Sequence, residues 1–315
     1  ASFRSWNPAT NALTPVPSAC NLFCAGTAEL SDGRLIAFGG HADANFNGIL
    51  DTNIYNPVSQ TWNRVADMAF PRWYPTATTL QDGRVLAISG WINPTQMANT
   101  PEIYNPAINT WTSLASATTS NPMYSFMFLL PNGNVFNAGP GVVNVSGNTL
   151  TRTLNIPAQT WTTVGDSLIT GHSAVMYRPG QIMKSGTLGD PDFPLPSVNG
   201  RAVVIDMNQP APAWREVPSM AFPRAYHNLV LLPDGKAIAI GGERTANGQN
   251  VSQAVYAAEM WNPTTETWQT MASMQRPRLY HSTALLMPDG RVLSTGGLFL
   301  PYIEANAEIY SPPYL

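Results

Sequence analysis

One phrase recurs along this chain and limits what it can fold into. "MAFPRWYPTATTLQDGRVLAISGW" at 68–91 returns as "MAFPRAYHNLVLLPDGKAIAIGGE" at 220–243 and as "MQRPRLYHSTALLMPDGRVLSTGGL" at 274–298. Looser copies are "CAGTAELSDGRLIAFGGH" at 24–41, "YSFMFLLPNGNVFNAGP" at 124–140 and "HSAVMYRPGQIMKSGT" at 172–187. A second phrase alternates with the first: "IYNPVSQTW" at 54–62, "IYNPAINTW" at 103–111, "LNIPAQTW" at 154–161 and "MWNPTTETW" at 260–268, with a degraded version from Asp206 to Trp214.

Each unit reads as four strands. An apolar strand meets an Asp-Gly or Asn-Gly turn, the strongest short-range hairpin signal. A second apolar strand ends at Gly-Gly, a half-exposed strand ends in Tyr-Asn-Pro, and a fourth begins Thr-Trp. The first two strands are apolar on both faces, as strands packed between neighbouring sheets must be. Four-stranded units at this period predict an all-β, kelch-like β-propeller. The repeat runs through residues 1–315 as one propeller domain. "FRSWNPATNALTPV" matches only an outer pair, so there are six inner hairpins plus one outer pair without an inner partner. That pair either closes the last blade or belongs to an incomplete seventh.

Composition excludes some partners. Net charge is −3 and charged residues are 11% of the chain, against about 25% in an average soluble domain. Neither nucleic acid nor an anionic membrane is expected as a partner, and no apolar run approaches a membrane span. A surface relying on Asn, Ser, Thr and Gln, with sequons at Asn144 and Asn250, predicts a secreted or extracytoplasmic protein.

Aligning the units on the turn glycine exposes a register. Nine residues before Gly33, Gly83, Gly133 and Gly235 stand Cys24, Tyr74, Tyr124 and Tyr226. Tyr280 lies ten before Gly290, which reads as one extra residue in that strand. The first strand of each blade lines the central channel, so these side chains should share one end of it. His41, Trp91 and Glu243, just after Gly-Gly, fall on the same face. Purely architectural positions would resemble one another, yet this set holds a thiol, tyrosines and two Tyr-His pairs (226–227 and 280–281). A site grafted on a repeat breaks the repeat in this way.

"FCAG" (23–26), "PRWYPTATTLQDGRV" (71–85), "SGW" (89–91) and "RLYHSTALLMPDGRV" (278–292) resemble the copper radical oxidases, the family of galactose and glyoxal oxidases. The resemblance covers essentially the whole chain and implies a seven-bladed propeller. It implies a thioether between Cys24 and the ring of Tyr74, giving a protein-derived Cys-Tyr cofactor that holds a radical. It implies copper bound by Tyr74, Tyr280 and His281, with Tyr280 as base toward the substrate hydroxyl and Trp91 stacked over the cross-linked pair. Imidazole and phenolate ligands in a tetragonal set suit Cu(II). The implied activity is oxidation of a substrate by O2 with release of H2O2. The family's fourth ligand is a His from a C-terminal β-sandwich domain, which does not lie within these residues. That domain or a second polypeptide would supply it. His41, His172 and His227 do not match this ligand, though His41 could approach the site. The galactose-binding Arg has no counterpart in "NPMYSFMFLLPNG" (121–133), so a small aldehyde or primary alcohol is expected in place of a hexose. The competing reading is a non-catalytic propeller that binds a protein or glycan.

Three other features are weighed. "DANFNGILD" at 43–51 spaces oxygen ligands like half of a calcium loop, but Ile54 stands where the bidentate Glu should be, which favours a polar turn. Arg72, Arg224 and Arg278 recur before the ring tyrosines and are expected to bond backbone carbonyls between blades. A Cys20–Cys24 disulfide is the rival to the thioether.

Overall fold

The computed structural model describes residues 3–140, 149–186, 198–245, 247–299 and 302–315. Its regular structure is β apart from two single-turn 3-10 helices, Ala115–Ala117 and Val251–Gln253. Among the described residues no helix is long and apolar enough to cross a membrane. The sheets are β-propeller blades, and the chain divides into two compact units, 1–137 with 153–162, and 138–152 with 163–315.

In the first unit, the first blade runs Gly26–Glu29, Leu35–Phe38, Thr52–Asn56 and Thr61–Val65, each strand antiparallel to the next. The second repeats the plan with Thr76–Thr79, Val85–Ile88, Glu102–Asn105 and Thr110–Ser113. The third begins with Met127–Leu129 and Val135–Asn137, and the unit boundary falls inside its outer strands, Leu150–Asn155 and Thr160–Asp166. Successive side chains of a strand point to opposite faces. Val85 and Ala87 accordingly enter a core with Ile36, Phe38 and Tyr104. Leu86 and Ile88 enter another with Ile103, Val135 and Leu154. This explains why the inner strands are apolar without alternation. Burying each such Leu or Ile stabilises by roughly 1.5–3 kcal/mol.

In the second unit, the fourth blade is Ser173–Arg178, Gln181–Ser185, Ala202–Asp206 and Arg215–Val217. The fifth is Ala225–Leu231, Ala237–Glu243, Ala257–Asn262 and Thr267–Ser273. The sixth has three strands, Ser282–Leu286, Val292–Gly296 and Ala307–Tyr310. The repeated Trp ties each blade to the one before it within its unit. Trp111 donates to the carbonyl of Ala66 at 3.0 Å and Trp161 to that of Ala117 at 2.9 Å. Trp214 donates to Thr151 Oγ1 at 3.2 Å and Trp268 to the Pro218 carbonyl at 2.9 Å.

The N-terminal pair, Phe3–Asn7 with Ala12–Val16, forms a two-stranded sheet of its own. Its turn residue Asn11 has φ +56°, matching Gln60, Asn109, Gln159 and Glu266 in the outer turns of the blades. Phe3 meets Trp62 with ring centroids 5.5 Å apart. By conformation, then, it is an outer pair.

The recurring arginines act inside one blade, contrary to the expectation that they bridge blades. Arg72 leads into the second blade and donates to the carbonyls of Ser89, Ala98 and Thr100. It also pairs with Glu102 on the same blade's third strand at 2.8 Å, both side chains fully buried. Arg224 and Glu259 repeat this at 2.6 Å in the fifth blade. The carboxylate is needed because a guanidinium withdrawn from water needs a counter-charge.

Candidate active site

The register seen in the sequence has a backbone cause. In all six blades the residue nine before the inner turn glycine has positive φ: Cys24 (+65°), Tyr74 (+62°), Tyr124 (+44°), Gly171 (+68°), Tyr226 (+60°) and His281 (+65°). Left-handed backbone is uncommon for residues other than glycine and disfavoured for bulky ones. Five of these six are not glycine, so the propeller holds side chains here against a local preference. In the first unit these positions are also joined directly: Tyr74 N–H donates to the Cys24 carbonyl at 3.0 Å and Tyr124 N–H to that of Tyr74 at 3.1 Å.

This corrects the reading of the sixth blade. The residue in register is His281, and Tyr280 stands one earlier, as Trp73 does beside Tyr74. The fifth blade differs by one step, with Tyr226 in register and His227 after it. A one-residue shift reverses the direction of a strand side chain. His227 is accordingly buried, its Nε2 2.8 Å from Ser185 Oγ. His281 is more exposed and lies flat against Tyr280, centroids 3.9 Å apart. Two identical dipeptides therefore have different surroundings.

In the first unit an aromatic stack surrounds Tyr74. Trp73 lies on its ring at 3.7 Å and 12°, and Tyr124 is also stacked with it at 4.5 Å. Trp91 is stacked on Trp73 at 5.3 Å, and the two tryptophans exchange backbone hydrogen bonds of 2.8 Å. The indole found against Tyr74 is thus that of Trp73, with Trp91 behind it, where the sequence suggested Trp91 itself. Trp73 Nε1 donates to His41 Nδ1 at 3.0 Å, which occupies that nitrogen and fixes the indole plane.

The two cysteines have different neighbours, and both are free. Cys20 Sγ accepts from Asn53 Nδ2 at 3.0 Å. Burial pushes the Cys24 thiol up to about 11, opposed mainly by hydrogen bonding with the Tyr74 side chain. A half-buried neutral thiol held against a phenol is not placed as a thiolate nucleophile.

In the second unit Tyr280 meets Tyr226 edge to face at 5.3 Å, and Tyr226 covers His172 at 4.3 Å. Partial burial lowers His281 below the usual imidazole value, which favours the neutral ring, the form in which imidazole ligates metals. His172 is pushed down to about 3 by complete burial. Glu243 is a loop anchor, accepting from Gly248 N–H at 2.6 Å and Asn250 N–H at 2.7 Å. Asp43 turns its carboxylate onto Asn45 N–H at 2.9 Å and Asn47 Nδ2 at 2.8 Å, making 43–51 a polar turn. Asn250 Oδ1 accepts from Ser252, and Asn144 lies outside the described residues. Among the described residues no group of three or more His, Cys, Asp or Glu side chains could hold a metal.

Comparison with known proteins agrees with the sequence resemblance. Residues 197–310 match the family described as Glyoxal oxidase N-terminus. The chain is 30% identical over 339 residues to galactose oxidase from Gibberella zeae, which covers 99% of this chain and 48% of that protein. It is 25% identical to aldehyde oxidase GLOX from Vitis pseudoreticulata, covering 97% of this chain and 63% of the relative. A solved structure of a fungal alcohol oxidase of the AA5 family, in complex with copper, shares the fold with a TM-score of 0.82 at 23% identity, over 100% of this chain and 68% of that one. The chain spans about half the length of the galactose oxidase relative.

Proposed function

We propose that this chain, a homologue of the galactose and glyoxal oxidases, is the propeller of a copper-dependent oxidase acting on a small aldehyde or primary alcohol. The observation that carries the reading is Cys24 and Tyr74 in the same strained register and joined by the 3.0 Å bond from Tyr74 N–H to the Cys24 carbonyl, with Trp73 flat on the Tyr74 ring. Tyr74, Tyr280 and His281 would hold the copper, a donor set that suits Cu(II). Bound copper would supply one-electron redox chemistry, and the oxidised Cys24–Tyr74 cofactor would take up the second electron from the substrate. In the net reaction the alcohol gives two electrons and two protons to O2, one hydrogen from O–H and one from C–H, leaving an aldehyde and H2O2.

The chain's own residues would do the rest. Tyr280, as phenolate, would accept the hydroxyl proton of the substrate. Trp73 and Trp91 would keep water and reductants from the Tyr74 ring. Three protein ligands leave the set open, so a His from a C-terminal domain or a second polypeptide is part of the proposal, as is a secreted location. A seven-bladed count belongs to the same reading, with the pair Phe3–Asn7 and Ala12–Val16 as the outer strands of the seventh blade.

Cross-linking would remove one hydrogen from the Cys24 thiol and one from the Tyr74 ring, with O2 reduced to H2O2. The test is peptide mass analysis of copper-loaded, aerated protein after thiol reduction and alkylation. A Cys24–Tyr74 peptide lighter by two hydrogens is expected, since a thioether survives the reductant. Cys24 recovered fully alkylated would overturn the proposal.

A further inference from the structure

The segment that only faintly resembles a calcium loop has another use. His41 and Gly48 pair as an antiparallel bridge, and Ala42 N–H donates to the Asn47 carbonyl at 2.9 Å. The closed turn is seated by Gly48, whose N–H donates to the Ile92 carbonyl at 3.0 Å. A Cβ at Gly48 would come within 2.5 Å of the Trp91 carbonyl oxygen, so only glycine permits this approach. At the tip stands Phe46, with φ +61° and 47% exposed. Left-handed backbone at a bulky residue is destabilising by roughly 1–3 kcal/mol, and displaying a Phe ring to water is unfavourable as well. Neither effect helps the fold.

Phe46 extends the aromatic stack of the candidate site. Its ring lies 5.2 Å from Trp73, the indole stacked on Tyr74. His41 stands edge-on to Phe46 at 5.9 Å and to Phe23 at 6.2 Å, and Phe23 is 50% exposed. The result is a wall of rings running from Tyr74 outward, ending in two exposed phenylalanines with an imidazole between them. The charged residues next to these rings in sequence are turned away from them. Arg72 is fully buried against Glu102, and the Asp43 carboxylate is turned into its own loop.

We propose that Phe46 and Phe23 form a clamp for the apolar tail of the substrate, so that the site takes an uncharged primary alcohol or aldehyde carrying an aromatic ring. The clamp itself rests on the geometry of the first unit. The identity of the reacting group rests on the oxidase reading above.

Two measurements separate these. In saturation-transfer NMR on the copper-free chain, benzyl alcohol ring protons should take up magnetisation, and ethanol should not. Phe46→Asn tolerates positive φ but lacks the ring, and should weaken benzyl alcohol binding about tenfold, the loss expected for one aromatic contact of about 1.4 kcal/mol. Phe46→Tyr should restore it. With copper-loaded protein that includes the C-terminal domain, Phe46→Asn should raise KM for benzyl alcohol by about the same factor, and KM for ethanol by much less. Benzyl alcohol binding that is absent in the wild type, or equal in wild type and Phe46→Asn, overturns the clamp. Binding that depends on Phe46, in a copper-loaded, aerated protein whose Cys24 is recovered fully alkylated, keeps the clamp and removes the oxidase reading.

Discussion

The second and sixth blades show how one repeat can be used in two ways. Both put a stacked pair at positions ten and nine before the inner turn: Trp73 on Tyr74 at 3.7 Å, and Tyr280 on His281 at 3.9 Å. The backbone at the second residue is nearly identical, φ +62° and +65°. What changes is the chemistry, from an indole and a phenol to a phenol and an imidazole. The scaffold imposes the strained conformation in every blade, so functional side chains can be exchanged at that position without a new backbone. The buried support differs too. Arg72–Glu102 is fully buried at 2.8 Å, whereas Arg278–Glu308 is 3.5 Å long with Glu308 25% exposed.

That difference in support gives the largest expected effect. Arg72→Met leaves Glu102 buried and unpaired and should destabilise the chain by about 3–5 kcal/mol. Arg278→Met should lose markedly less, because Glu308 reaches water and the remaining partner, Asn306, is neutral. Urea unfolding of both variants checks this. Equal losses would mean that the two blades are supported alike.

The sequence carried the blade plan because inner hairpins and the Tyr-Asn-Pro and Thr-Trp phrases are local signals. Strand pairing follows from turn chemistry and from the apolar runs buried on both faces, as Val85 to Ile88 illustrate. Cys24 and Tyr74 were legible as neighbours because position nine repeats. The roles of Trp73 and Phe46 were not. Trp73 shares its dipeptide with Tyr74 and looks like packing until the ring plane is known. Phe46 carries no sequence sign of its positive φ, which depends on the seat that Gly48 finds beside Trp91. The apparent extra residue before Gly290 misled for a similar reason. Counting from aligned tyrosines hides the fact that the backbone aligns His281 with Tyr74.

Copper sharpens the contrast between the two Tyr-His pairs. Under the oxidase reading, His281→Ala should weaken copper binding by about a hundredfold, roughly 2.7 kcal/mol. His227→Ala should leave copper affinity nearly unchanged while lowering stability, since its ring is buried against Ser185. Titration calorimetry of both variants decides it. Similar losses of copper affinity would make the pair architectural in both blades.

The fourth blade breaks the comparison from a different side, and its effect is the smallest per step. No arginine precedes its inner strand, and the second strand supplies Lys184, fully buried. Its Nζ donates to Ser167 Oγ at 2.8 Å and to the Ile169 carbonyl at 3.2 Å. Arginine stays charged at any accessible pH, whereas a buried lysine can release its proton. Burial pushes Lys184 down from 10.5 to about 7, against a weaker opposing pull from Asp166. Between these two values the unfolded chain binds more protons than the folded one, so stability must rise with pH. The penalty is absent above about 10.5, grows as pH falls and is complete below about 7. The slope is bounded by about 1.4 kcal/mol per pH unit for a single group. Lys184→Met keeps most of the volume and removes the titration, so its stability relative to the wild type should improve steadily as pH is lowered from 9.5 to 7. Urea unfolding at half-unit intervals measures the difference, which cancels other titrating groups common to both proteins. A constant difference across that range would mean that Lys184 keeps its proton in the fold, held as firmly as the arginines of the neighbouring blades.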